Sequence, residues 1–291
     1  MSKPNTAAAA PDTTALATTN ENESKALALL GGEFEADAGS GFEDAGSSSY
    51  AIPFLKLLAA MSKQCKRGTP EYIQGAQEGD FFNTVTQETF DGEVGLTVIP
   101  VHHIPKFIEY EGTVDEGGGF VKSMSSAEGM RLMQTTTRDA DGNERLPRGA
   151  DGKEHILVDV REHYLIVMRP GTQETFPCLL SLSSSGIPVS RNWMSQMGQF
   201  KRNPLQANPD PMFSHVFQLT SYMKPSKKVD STYATYKFTH LYAIEKAPWA
   251  PEIIQAVYAQ AKAFKEQLQL GQVKTPDYAE AAGHEEFNGQ F

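Results

Sequence analysis

The sequence predicts an α+β fold, an antiparallel β-barrel with two or more peripheral helices between disordered termini. Three observations carry the prediction. Between residues 50 and 246, short runs of alternating, β-branched and aromatic residues recur between turn signals. Two other stretches, 188–200 and 251–268, repeat apolar residues at helical spacing. Residues 1–49 and 271–291 are rich in small, polar and acidic residues, and bury too little apolar surface to offset the entropy of ordering. The organisation is thus a disordered acidic N-terminal tail (1–49), a β-rich core with a C-terminal helix (50–270) and a flexible acidic C-terminal tail (271–291).

Each element follows from local pattern. In the first tail, Glu23 to Phe34 (ESKALALLGGEF) suits a short helix that forms on a partner, although a fluctuating segment is the simpler reading. The core opens near Tyr50 with IPFLKLLAAM, where Pro53 favours strand over helix. After a polar stretch, Ser62 to Gln77, GDFFNTVTQETF alternates as a strand does. GLTVIPVHHIPKFIEYE reads as two strands broken at Pro100 and Pro105, because proline cannot donate to a ladder. Gly117, Gly118 and Gly119 mark a turn, and residues 135–153 form a polar loop with turn signals at Asp141-Gly142 and Asp151-Gly152. Strands resume in HILVDVREHYLIVMRP and TFPCLLSLSS. Val189, Trp193, Met197 and Phe200 then fall on one helical stripe, with Pro188 in the first turn, where proline is tolerated. FSHVFQLTSYMK and STYATYKFTHLYAI, joined by the basic turn Pro225 to Asp230, read as a hairpin. The last helix turns Ile254, Val257, Ala261, Phe264 and Leu268 to the core and ends before Gly271 and Pro276.

The net charge of −10 over 291 residues argues against a nucleic-acid partner until it is divided by region. Residues 1–50 hold two lysines against eight acids, and residues 247–291 hold three lysines against six. The middle is nearly neutral, and 161–246 carries ten Lys or Arg against five acids, so a basic surface is available there. No stretch approaches the ~20 apolar residues of a membrane span, and Ala26 to Leu30 is too short for a signal-peptide core; a cytoplasmic protein is expected. Cys65 and Cys178 lack the paired spacing of zinc or redox motifs and are expected to pack as small apolar side chains.

No phosphate-cradling glycine loop, nucleophile elbow, paired metal ligands or deaminase signature is present, so neither an enzyme nor a cofactor or metal is expected. His102 and His103 point to opposite faces of a strand and cannot easily chelate one ion. Asp139, Asp141 and Asn143 imitate a calcium loop, but Glu144 stands where glycine is required and Ala150 where the bidentate Glu belongs.

The positive signal is aromatic and basic residues interleaved late in the core. Arg191, Trp193, Lys201 and Arg202 lie on and after the first helix. Tyr222, Lys224, Lys227, Lys228, Tyr233, Tyr236, Lys237 and Phe238 crowd the hairpin. Single-strand binders need this pairing, since cations track phosphates while flat rings stack bases at about 1–3 kcal/mol each. Against it, hairpin aromatics commonly fill cores, Trp193 sits on a core stripe, and Tyr236 and Phe238 face away from Lys237 on period-two alternation. The C-terminus adds Glu285, Glu286, Phe287 and a terminal Phe291, an acidic apolar end suited to a partner's pocket or to competition with DNA for the protein's own groove.

With that tail, and with the phrases Ile52 to Leu57 (IPFLKL), Gly79 to Val85 (GDFFNTV) and Leu180 to Ser185 (LSLSSS), the chain resembles phage-encoded single-stranded DNA-binding proteins. It departs from them in having fewer tail acids and in the separation of Phe291 by Asn288, Gly289 and Gln290. The resemblance implies a barrel of OB type that coats and protects single-stranded DNA during phage replication or recombination. It also implies residence in the host bacterial cytoplasm and contacts with replication or recombination proteins through the tail. No membrane partner is expected, and a homo-oligomer is compatible. The alternative is a non-catalytic protein–protein adaptor or virion-associated structural protein, in which the basic hairpin is peripheral.

Overall fold

A computed structural model describes residues 52–112, 119–140, 142–148, 152–226 and 231–273, with isolated positions between 33 and 41. The chain divides into two units, Met1–Ser49 and Tyr50–Phe291, and every element below belongs to the second. In chain order these are β1 (Leu55–Leu57), β2 (Phe81–Asn83), β3 (Thr89–Phe90), β4 (Leu96–Glu111), β5 (Phe120–Ser125), α1 (Ser126–Met133), β6 (Thr137–Arg138), β7 (Glu144–Arg145), β8 (His155–Met168), β9 (Thr175–Ser183), α2 (Gly186–Met197), β10 (His215–Pro225), β11 (Thr232–Ala243) and α3 (Pro251–Gln269). The fold is α+β, a strongly curled antiparallel half-barrel sheet with three helices among the described residues.

The main sheet runs β9-β8-β4-β10-β11, with β5 on β4 and the short β6 and β7 beyond the far half of β8. A small sheet, β1-β2-β3, packs beside it; the segment 79–90, expected as a strand, is instead a hairpin of β2 and β3 whose turn carries Gln87 at φ 58°. The two strands expected around Pro100 and Pro105 are one, the 16-residue β4. Its pairing explains why the prolines are tolerated. β10 bonds to β4 only at Leu96–Val98 and β5 only from Lys106 onward, so between them β4 has β8 alone as partner. Both prolines fall in that one-sided window, beside a register shift at Pro100/His102, where a missing N–H forfeits no second ladder bond.

Two apolar layers sandwich the sheet. On one face Leu96, Val98, Leu165, Val167, Cys178, Leu180, Leu182, Phe217 and Leu219 pack against Trp193 and Met197 of α2, and against Leu55, Phe81 and Phe90 of the small sheet. On the other, Ile99, Val101, Tyr164, Ile166, Leu179 and Val216 pack against Val257, Ala261 and Phe264 of α3. The stripe read for α3 is the one it buries. That of α2 is shifted: Ile187, Ser190, Trp193 and Met197 face inward, and Phe200 lies past the helix end, stacked on His215 at 4.2 Å. His102 sits near Tyr164 on one face, whereas His103 stacks on His163 at 4.4 Å on the other. Cys178 is buried and Cys65 half-buried, both free.

The far halves of β4 and β8 carry α1, whose Ser125 cap accepts a bond from the Glu128 N–H at 3.2 Å. Gly129 of α1 lies on Phe107, and a Cβ there would sit 2.1 Å from the ring. Gly129→Ala raises helix propensity yet is expected to destabilise the protein by about 1–3 kcal/mol through overpacking, read as a lower urea midpoint at constant m-value. A higher midpoint would show that α1 can lift off without cost.

Candidate nucleic-acid interface

The β10–β11 hairpin has two faces, and pairing assigns every residue to one of them. Opposite residues point the same way and alternate rows share a face. Leu219 pairs with Phe238 and Ser221 with Tyr236, while Thr220 pairs with Lys237, Tyr222 with Thr235, and Lys224 with Tyr233. The first set faces α2 and the small sheet. Phe238 stacks flat on Trp193, centroids 3.7 Å apart and planes 8° apart, and Tyr236 stands 6.4 Å from Phe81. Trp193 is 1 % exposed, and its other neighbours are Phe217 and His163. Trp193 is therefore committed to the core, and its sequence-based assignment as a base-stacking ring is corrected accordingly; Tyr236 and Phe238, half-buried, pack against that same apolar layer and turn away from the ribbon's other face.

The second set is open to solvent at Tyr222, Lys224 and Lys237, half-buried at Tyr233 and buried at Thr235. Beyond Ser221 the ribbon leaves the body as an arm, and Tyr222, Met223, Lys224 and Pro225 are exposed, the first two at 45 %. Tyr222, Lys224, Tyr233 and Lys237 line one face of it, in rows about 7 Å apart at 3.4 Å per residue. Neither lysine makes an ion pair among the described residues. The arm is anchored at its root, where Ser221 N–H donates to the Gly92 carbonyl at 2.7 Å and Ser221 Oγ donates to the Gly79 carbonyl at 2.6 Å. Only glycine allows that approach, since a Cβ on Gly92 would lie 1.8 Å from the Gly79 oxygen.

The other predicted residues scatter. Arg191 is exposed on α2 without an ion pair among the described residues, and Lys201 donates at 3.4 Å to the Ala207 carbonyl. Arg202 is a brace: it pairs with Asp210 at 3.5 Å and Glu245 at 3.0 Å, tying the loop after α2 to the chain beyond β11. Lys227, Lys228 and the tail residues Glu285, Glu286, Phe287 and Phe291 lie outside the described residues. Lys63, Lys66 and Arg67, within the polar stretch Ser62 to Gln77, make a second basic run, half-exposed at both lysines and exposed at Arg67. The signal was there, because no acid occurs between Asp44 and Glu71.

Two buried polar groups elsewhere find partners inside the fold. Glu162, fully buried, takes Lys106 Nζ at 2.9 Å and the Tyr164 hydroxyl at 3.0 Å, and Tyr164 is held far above its usual pKa by burial and by that carboxylate. His163 Nε2 and Ser190 Oγ lie 2.8 Å apart, but both residues are enclosed, at 0 and 1 % exposure, so no substrate reaches the pair. Among the described residues no group of three or more His, Cys, Asp or Glu is placed to hold a metal ion, and no helix is long and apolar enough to cross a membrane.

No curated protein and no solved structure matches the chain. A family model described as Pam3 phage gp34-like protein matches residues 22–274. With so much of its length matched, the chain belongs to the Pam3 phage gp34-like protein family.

Proposed function

We propose that this phage protein binds single-stranded DNA, coating and protecting it during replication or recombination, and that it acts as a binding protein without catalysis. The observation that carries the reading is the strip of Tyr222, Lys224, Tyr233 and Lys237 on the open face of the β10–β11 arm. There unpaired cations alternate with accessible rings on one surface. That is the chemistry a single strand requires, with phosphates held by charge and bases by stacking regardless of sequence.

The strand order supports an OB-type barrel as the scaffold. If β4, β8, β9, β10 and β11 are barrel strands one to five, their order β9-β8-β4-β10-β11 is three-two-one-four-five, with α2 in the connection between strands three and four. An OB barrel closes between strands three and five; here α2 packs against both β9 and β11. On this reading the arm tip is the loop between strands four and five, one of the loops with which OB folds hold oligonucleotides, and Lys227 and Lys228 fall in it. Arg191 and Lys201 extend the basic surface, and the tail residues Glu285, Glu286, Phe287 and Phe291 are retained as a partner-binding end. Host cytoplasm is the matching location.

Fluorescence anisotropy of a labelled oligothymidine, titrated at several salt concentrations, tests the proposal. The intact chain is expected to bind at micromolar or lower concentration, more weakly as salt rises. Tyr222→Ala is expected to lose about 1–3 kcal/mol, a drop of about 5- to 150-fold. Lys224→Gln with Lys237→Gln is expected to flatten the log–log salt slope by about 1.4, at ~0.7 per phosphate contact. Absence of binding at low salt would overturn the reading in favour of an adaptor or virion protein.

A further inference from the structure

The loop that carries the second basic run ends at the root of the same arm. Residues 59–78 leave the small sheet after β1 and return before β2, and the excursion is closed by two backbone bonds: Leu58 N–H to the Asp80 carbonyl and Gly79 N–H to the Leu58 carbonyl, both 2.8 Å. The Gly79 carbonyl in turn accepts from Ser221 Oγ, one residue before Tyr222, where β10 leaves the body. The excursion is internally fixed. A single 3₁₀ turn spans Lys63–Cys65, Gln64 is buried with its carbonyl accepting from Ile73 N–H at 3.0 Å, and Thr69 Oγ1 donates to the Lys63 and Lys66 carbonyls at 2.7 and 2.9 Å.

Those bonds hold the run Lys63-Gln64-Cys65-Lys66-Arg67 in place while leaving its charges available. Lys63 has Glu71 at a loose 3.7 Å, and Lys66 and Arg67 make no ion pair among the described residues. Arg67 is exposed, as is Met61 beside the turn, at 48 %. A pure solubilising loop needs no such bracing; within this one the three cations come first, with no acid from Ala45 to Pro70, and the two acids, Glu71 and Glu78, follow them.

Resting on the single-stranded DNA reading above, we propose that Lys63, Lys66 and Arg67 form a second phosphate-binding surface for the strand held by the arm. The strip of Tyr222, Lys224, Tyr233 and Lys237 occupies one face of the ribbon, and the loop is rooted on the other, at Ser221. Lys224 lies three residues from that root, about 10 Å along the strand. A strand that crosses the arm at Met223, exposed on the root's side, meets both surfaces within the 4–16 nucleotides or so that one OB domain occupies.

The test measures oligothymidine anisotropy against salt for the full-length chain, for the triple variant Lys63→Gln, Lys66→Gln, Arg67→Gln, and for Lys224→Gln with Lys237→Gln. The triple variant is expected to bind at least tenfold more weakly and to flatten the log–log salt slope by about 2, from three contacts of ~0.7 each. Should the triple variant melt early, Arg67→Gln alone, at an exposed position, is expected to flatten the slope by about 0.7 at unchanged melting temperature. Wild-type affinity and slope in the loop variants, with the arm variant weakened, would overturn this inference and leave the function standing. No salt-sensitive binding by the wild type would overturn both.

Discussion

Replacing Trp193 by alanine is expected to cost about 3–5 kcal/mol of stability, the range for removing a large aromatic from a packed core. Its ring lies between sheet and helix: flat on Phe238 of β11, edge-on to Phe217 of β10, 4.8 Å from His163 of β8. It thereby joins three strands of the half-barrel to α2. Trp193→Phe should be much milder. The indole N–H has no hydrogen-bond partner among the described residues, so phenylalanine forfeits ring area but no bond. Urea unfolding followed by circular dichroism measures both variants. A loss below about 1 kcal/mol for Trp193→Ala would show that the ring does not hold the helix to the sheet.

Mild acid is expected to unfold the protein through its histidines. His163 is fully buried, its Nδ1 unbonded among the described residues, and burial together with the nearby His103 and Arg161 holds its pKa well below the ordinary imidazole value. The folded protein therefore keeps it neutral, while the unfolded chain takes up a proton near pH 6.5. The stability it contributes is fully present above that value and is lost as pH falls below it, by up to about 1.4 kcal/mol per pH unit, until the folded state too accepts the proton. His102, His103, His215 and His240 are lowered in the same direction, each mainly by burial, and add to the slope. The urea midpoint should be level above pH 7.5 and fall between pH 6.5 and 5.5. His163→Gln, which can still bond to Ser190 but cannot titrate, should fall less steeply by about one proton's worth. An equal slope in the variant would place the acid sensitivity elsewhere.

Much of the core was legible because hydrophobic period reports burial directly. The β10–β11 hairpin, the stripe Val257, Ala261, Phe264 and the apolar strands β8 and β9 all follow from it. The errors have identifiable causes. Pro100 and Pro105 broke β4 in the sequence reading because a proline's cost depends on which neighbour its missing N–H would have faced, and that is settled by strands more than fifty residues away. Helix α1 falls between the glycine turn and the polar loop, a stretch to which the pattern assigns no element, although Ser125 and Glu128 have the spacing of a capping box. Gly129, the residue that weakens a helical reading, is there because Phe107 occupies the space of its side chain.

By itself the sequence determined the acidic composition of the ends, strands β8 to β11 with the helices α2 and α3 in their chain order, and the presence of cations and rings together in the β10–β11 hairpin. It could not decide which rings were available. Trp193, Tyr236 and Phe238 have the same composition signal as Tyr222 and Tyr233. What separates them is which face of the ribbon meets α2 and the small sheet, a matter of tertiary packing. The same packing ties the loop that carries Lys63, Lys66 and Arg67 to Ser221 through a hydrogen bond to the Gly79 carbonyl, 142 residues back along the chain, that no local pattern announces. Charge and aromaticity are local properties of a sequence; exposure and juxtaposition arise only when distant strands pair.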